Sequence, residues 1–129
     1  EPVPRRARAR PLSWVVPSIR VRVVDRQVHK GRFYNMKGRV VDTGGSRSFG
    51  LVIDGYDKGR VVEGFGEHHV ETLVPKQGGL VLVVRGQHRN RHARVVERES
   101  KAATASVQFD DDLTIVNLGF DDICEYGRD

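Results

Sequence analysis

Ile19-Arg20-Val21-Arg22-Val23 alternates apolar and basic residues. That is the period of a strand with one face buried and the other in water. Reading outward from it, residues 25–36 form a polar connection that carries Lys30, Arg32, Phe33 and Tyr34. Short strands are expected next at 39–42, 51–54, 60–63 and 70–74. Gly44-Gly45-Ser46 and Asp54-Gly55 supply turns between them. Pro75 has no N–H to give to a ladder and ends the run. The pattern then restarts, with strands expected at 80–84, 94–97, 105–109, 114–117 and 123–126. Two sets of about five short strands predict an all-β chain of two small barrels.

Composition agrees. The chain has 129 residues and 14 Gly, with Val recurring throughout. Glycine for turns and β-branched residues for strands fit no helical design. It opens at Glu1 rather than Met, which reads as a piece of a longer protein. No apolar run approaches the ~20 residues of a membrane-crossing helix. Cys124 is the single cysteine, so no intrachain disulfide can form, as suits a reducing cytosol or nucleus. Residues 1–101 hold 21 Lys/Arg against 10 Asp/Glu, while residues 102–129 hold 1 against 7. A basic body with an acidic end favours a polyanionic partner, nucleic acid above all.

An internal repeat sharpens the fold. With an offset of 53, Phe65-Gly66 falls on Leu118-Gly119, Val70 on Ile123 and Leu73 on Tyr126. In an SH3-like barrel this is where one helical turn leads into the last strand. Fixed-period self-similarity signals repeated units. The division is residues 1–12 as a basic flexible tail, 13–75 and 76–126 as two SH3-like barrels, and 127–129 as a tail. Each half is near the lower size limit for a stable domain, so the two should pack together.

The candidate sites are two loops. Arg85-Gly86-Gln87-His88-Arg89-Asn90-Arg91-His92-Ala93-Arg94 follows an apolar strand and concentrates guanidinium groups. Those groups pair with phosphate oxygens and stack on exposed bases. Arg85, His88, Arg89, Arg91 and Arg94 are the RNA-contacting candidates there, with Arg89 and Arg91 expected to carry the main contact. The sequence around the loop offers few carboxylates to neutralise them. In the first loop, Lys30 and Arg32 are placed to hold phosphates while a base stacks on Tyr34 or Phe33. Of the adjacent rings Phe33 and Tyr34, one should enter the core and the other stay outside. Arg5, Arg6, Arg8 and Arg10 form a basic tail suited to nonspecific RNA contact or nuclear import. His88 and His92 are four apart, but the segment reads as loop and strand, and Cys124 has no paired ligand. No metal site or cofactor is expected. There is no G-x-S-x-G, Walker-type or H-E-x-x-H motif, so no catalytic residue is assigned. Trp14 and Tyr126 are expected to brace barrel ends.

Ser13-Trp14, Ile19-Arg20-Val21-Arg22, Lys37-Gly38-Arg39-Val40-Val41-Asp42 and Gly59-Arg60-Val61-Val62-Glu63-Gly64 carry a family resemblance. Glu71-Thr72-Leu73-Val74-Pro75-Lys76 and Cys124-Glu125-Tyr126 belong with them. In that order and spacing the chain resembles the C-terminal region of the G-patch and KOW-motif splicing factor family. It is similar, second, to the C-terminal tandem region of Kin17-type nuclear proteins. The resemblance implies KOW-type barrels in a nuclear protein of pre-mRNA splicing, acting in spliceosome activation beside a DEAH-type helicase. RNA, single-stranded or spliceosomal, and spliceosomal proteins are the partners it implies. The helicase contact of such proteins belongs to the G-patch, so none is assigned to these residues. The KOW motif falls at 79–97, where Asn90 and Ala93 stand in places the family usually gives to Gly. Asn tolerates left-handed backbone; Ala at 93 would be strained if φ there were positive. A pure protein-interaction module without RNA contact is the rival reading. A ribosome-associated or elongation-factor-like KOW protein is a third.

Overall fold

The computed structural model describes residues 12–45 and 47–127. Among them ten strands form two five-stranded antiparallel sheets, with no helix longer than a 3₁₀ turn. The first sheet holds β1 (Arg20–Val23), β2 (Lys37–Gly45), β3 (Ser48–Ile53), β4 (Val61–Phe65) and β5 (Val70–Thr72), in the order β4-β3-β2-β1-β5. The second holds β6 (Leu80–Val83), β7 (His92–Glu99), β8 (Thr104–Phe109), β9 (Ile115–Gly119) and β10 (Ile123–Glu125), in the order β10-β6-β7-β8-β9. These are two small SH3-like barrels of the same topology. In each, a 3₁₀ turn leads into the last strand, at Glu67–His69 and at Phe120–Asp122.

All ten expected strands form, and the differences are at their ends. β2 and β7 extend beyond 39–42 and 94–97 because both pass through a bulge, at 41–45 and 95–97, that lets a long strand bend around the barrel. Ser46 of the expected Gly44-Gly45-Ser46 turn lies outside the described residues, as does the basic tail to residue 11. β5 stops at Thr72, before Pro75, because Leu73 changes partners. Its carbonyl accepts the Glu125 N–H at 2.6 Å, tying the first barrel to β10 of the second.

The wholly apolar run 80–84 is explained by two cores. Val81 and Val83 point into the second barrel with Ala93, Val95, Val107 and Phe109. Leu82 and Val84 point the other way, into the core of the first barrel with Trp14, Ile19 and Phe65. β10 alternates likewise, with Ile123 in its own core and Cys124 in the neighbour's. A strand buried on both faces reads as continuous apolar sequence rather than as alternation. Ile19 bridges Tyr126, the Cys124 thiol donates to the Arg20 carbonyl at 2.9 Å, and the Thr72 hydroxyl donates to the Phe120 carbonyl at 2.8 Å. Burial pushes the Cys124 thiol up to about 12, which keeps it protonated and unreactive.

Candidate nucleic-acid interface

Both candidate loops are closed by the same backbone device. In the first, the Val23 N–H donates to the Met36 carbonyl (2.9 Å) and the Asn35 N–H donates to the Val23 carbonyl (2.8 Å). In the second, the Val83 N–H donates to Arg91 (2.9 Å) and the Asn90 N–H donates to Val83 (2.8 Å). Asn35 and Asn90 both take left-handed backbone, with φ of 67° and 75°. Gly31 and Gly86 begin the closing turn at φ 77° and 90°. At Gly31 a Cβ would meet the Arg26 carbonyl oxygen at 2.7 Å, so no other residue fits. Between the closing bonds lie residues 24–34 in one loop and 84–89 in the other. The first loop is therefore five residues longer.

The extra residues are tightly held. The Asp25 carboxylate accepts the Gln27 N–H (2.7 Å) and the Val28 N–H (2.9 Å), and those two bonds hold its pKa below the ordinary value. His29 turns back onto Phe65, and its Nε2–H donates to the Glu63 carbonyl at 2.7 Å. Phe33 is sunk in the first core against Tyr56, while Tyr34 stays 39% exposed. One ring in and one out is what the sequence predicts. The Arg26 guanidinium lies 4.4 Å over the Tyr34 ring, which leaves a single face of that ring open. Lys30 and Arg32 are exposed and make no ion pair among the described residues.

The second loop divides its cations into two kinds. Arg89 is exposed in the loop, whereas Arg94, expected in the same loop, lies in β7; neither has a carboxylate partner among the described residues. Arg94 reaches only the Gly78 carbonyl, at 3.1 Å. Arg91 is built into the fold. It lies 3.7 Å over the Phe109 ring and pairs with Asp111 at 2.7 Å and Asp112 at 3.3 Å. The Asp111 hydrogen bond, first among the causes, raises the Arg91 pKa further. His88 stacks on the same Phe109 and shares a hydrogen bond with Arg91 at 3.1 Å. Arg85 lies 4.7 Å over the Trp14 ring and donates to the Asp121 carbonyl, so it pins the loop to the first barrel. The expectation that carboxylates are scarce near this loop is thus corrected at Arg91. Its partners arrive from the β8–β9 turn, 20 residues along the chain, where nothing local marks them.

Trp14 is positioned by Glu67. That carboxylate accepts the N–H groups of Ser13 (2.8 Å), Trp14 (2.8 Å) and Val15 (2.9 Å), and the Ser13 hydroxyl at 2.8 Å. Burial alone would raise its pKa, but these bonds together bring it below the ordinary carboxylate value. A run of contacts therefore joins the loops: His29 to Phe65, Glu67 to Trp14, Trp14 to Arg85. A groove of about 670 Å³ also lies between the barrels, unforeseen from sequence. Arg22, Lys37, Lys76 and Arg98 line it, but so do Glu71, Asp121 and Glu125, a mixture that favours no anion.

The KOW-like positions are accommodated. Asn90 takes the left-handed backbone expected of it. Ala93 sits in β7 between Val81 and Phe109, outside the left-handed region and fully buried, so its methyl packs without strain. His92 stacks edge-on against Tyr126 at 4.9 Å. Among the described residues no group of three His, Cys, Asp or Glu converges as a metal site would require.

Residues 19–127 match the family described as the GPKOW C-terminal domain. The chain is 32% identical over 117 residues to Protein MOS2 of Arabidopsis thaliana, covering 91% of this chain. It is 35% identical over 128 residues to the G-patch domain and KOW motifs-containing protein of Homo sapiens, covering 97%. A KIN17-like protein of Dictyostelium discoideum is 23% identical over 103 residues, covering 79%. The chain spans about a quarter of the length of these relatives, 25%, 26% and 22% respectively.

Proposed function

The chain belongs to the GPKOW C-terminal domain family, and from that premise we propose that it is a non-catalytic RNA-binding and scaffolding module of a nuclear pre-mRNA splicing protein. The observation that carries the reading is the set of exposed cations without a carboxylate partner at two loops of one backbone design, Lys30 and Arg32 in the first and Arg89 in the second, with Arg94 on the adjoining strand β7. An unneutralised guanidinium or ammonium releases counterions from RNA when it meets a phosphate, whereas one already paired gains far less. Lys30, Arg32, Arg89 and Arg94 hold phosphates, and one base stacks on the open face of Tyr34. Arg85, His88 and Arg91 fix the shape of the second loop. The barrels at 13–75 and 76–126 act as one body, because the loops are set by a shared core. Spliceosomal RNA and proteins are the partners, and the nucleus is the site of action.

The test is a fluorescence titration with a short single-stranded RNA at several salt concentrations. With Lys30, Arg32, Arg89 and Arg94 all changed to Ala, the slope of log affinity against log salt should fall by about 2 to 3 units, at roughly 0.7 per single-strand contact. An unchanged slope in a folded variant removes RNA from these loops.

A further inference from the structure

Each sheet has an edge strand that follows its central hairpin, and the two edges differ. β4 is bent by a register shift and by Gly64 at φ 87°, carries Glu63, and has the Glu63 carbonyl occupied by His29. These are the devices by which proteins blunt an edge. β9 has none of them. It pairs with β8 through five consecutive residues without a shift, and Ile115-Val116-Asn117-Leu118-Gly119 contains no charge. The shorter second loop has no counterpart of His29 to reach across.

The register fixes which groups are free. The Phe109 N–H donates to Thr114 and the Phe120 N–H to Ala103, so Val116 and Leu118 form the hydrogen-bonded pairs with β8. Ile115 and Asn117 therefore turn their main-chain N–H and C=O groups away from the sheet, and Gly119 its N–H, while the Gly119 carbonyl heads the 3₁₀ turn at Phe120–Asp122. Beside them Ile115 is 55% and Leu113 66% exposed, the two most exposed large apolar side chains among the described residues. Asp110 precedes this edge and Asp121 and Asp122 follow it, and none has an ion pair among the described residues. Arg98, over the Phe120 ring at 5.3 Å, does not pair with them.

We propose that the free edge of β9 takes up an extended segment of a partner protein, with apolar residues at its centre and Lys or Arg at its ends, as a sixth strand of the second barrel. Backbone pairing supplies the affinity, and the carboxylates at both ends of β9 select basic flanks. A second copy of the chain is the poorer occupant. Antiparallel self-pairing about Asn117 sets Asp112 of each copy against Asp121 and Asp122 of the other, a like-charge contact at both ends. This inference does not depend on RNA binding.

The probe is an end-capped eight-residue peptide with four central Val and two Lys at each end, added to the whole chain. Amide resonances of Ile115, Asn117 and Gly119 should shift and become protected from exchange. Methylating alternate peptide amides should weaken binding by about tenfold or more, as loss of one or two hydrogen bonds predicts, and replacing Lys by Glu should weaken it as well, by like-charge repulsion from Asp110, Asp121 and Asp122. Asn117→Pro should weaken it equally and still fold, since that N–H does not serve β8; Ile115→Lys, which keeps every backbone donor, should repel the peptide. No binding at millimolar peptide, or equal binding by the methylated peptide, overturns the proposal. So does protection of the three amides in the free chain that vanishes when residues 1–11 are removed, which would make the chain's own basic tail the occupant. Concentration-dependent self-association abolished by Asn117→Pro would overturn it in favour of a second copy.

Discussion

The β1–β2 loop and the β6–β7 loop close with the same pair of hydrogen bonds on a left-handed Asn, yet they anchor different things. In the first, the side chain two positions before that Asn is Phe33, fully inside its barrel. In the second it is His88, half-buried against Phe109 and braced by Arg91. The frame is set by Gly and Asn, which adopt those angles at less cost than most residues. What each loop does is set by the residues hung on the frame. The five additional residues of the first loop carry the histidine that closes the β4 edge, and their absence leaves β9 open.

The contrast can be broken most strongly at those two matched positions. Phe33→Ala should cost about 3–5 kcal/mol, because the neighbours Tyr56 and Phe65 cannot fill the void. His88→Ala should cost within about 1 kcal/mol, since its ring is half in water. Urea melts of both variants decide this, and equal losses would mean that the loops are equivalent after all. Next in size, Leu82→Ala should cost about 2–5 kcal/mol, and it should lower both barrels together. Trp14 fluorescence reports the first barrel and the Ala93 amide the second. Two separated transitions would deny the shared core.

A smaller effect tests the clasp that holds Trp14 under Arg85. Glu67→Gln should cost about 0.5–1.5 kcal/mol at neutral pH, since one amide oxygen replaces a carboxylate accepting four donors. The folded Glu67 pKa lies below its ordinary 4.5, so its contribution is complete above that pH and fades as pH falls through 4.5 toward the lower folded value. The variant should therefore lose less stability than the parent below pH 4.5, as thermal melts across that range would register. Smallest of all, Asn90→Gly should stay within about 0.5 kcal/mol, because both residues accept φ 75°. Asn90→Val should be clearly worse in the same melts.

The strands were legible because one-sided burial writes itself as alternation, as in Ile19-Arg20-Val21-Arg22-Val23, and two-sided burial as the run at 80–84. The repeat was legible at Phe65-Gly66 and Leu118-Gly119 because a turn into the last strand needs similar residues in each barrel. Which arginines are free was not. Arg89 and Arg91 look alike in sequence, two positions apart, and only the fold brings Asp111 and Asp112 to one of them. The open β9 edge was hidden in part: its lack of charge stands in the sequence, but the missing reach of another loop, which leaves it uncovered, does not.

If the loops bind RNA as proposed, freedom from carboxylates, and not mere basic character, decides which side chains meet it. The direct measurement compares Arg89→Ala with Arg91→Ala in a salt-titrated binding series on one short single-stranded RNA, with folding verified for each. Arg89→Ala should lower the slope of log affinity against log salt by about 0.7, and Arg91→Ala should leave it nearly unchanged. Equal slope losses in the two variants, or a larger one for Arg91→Ala, would contradict the account.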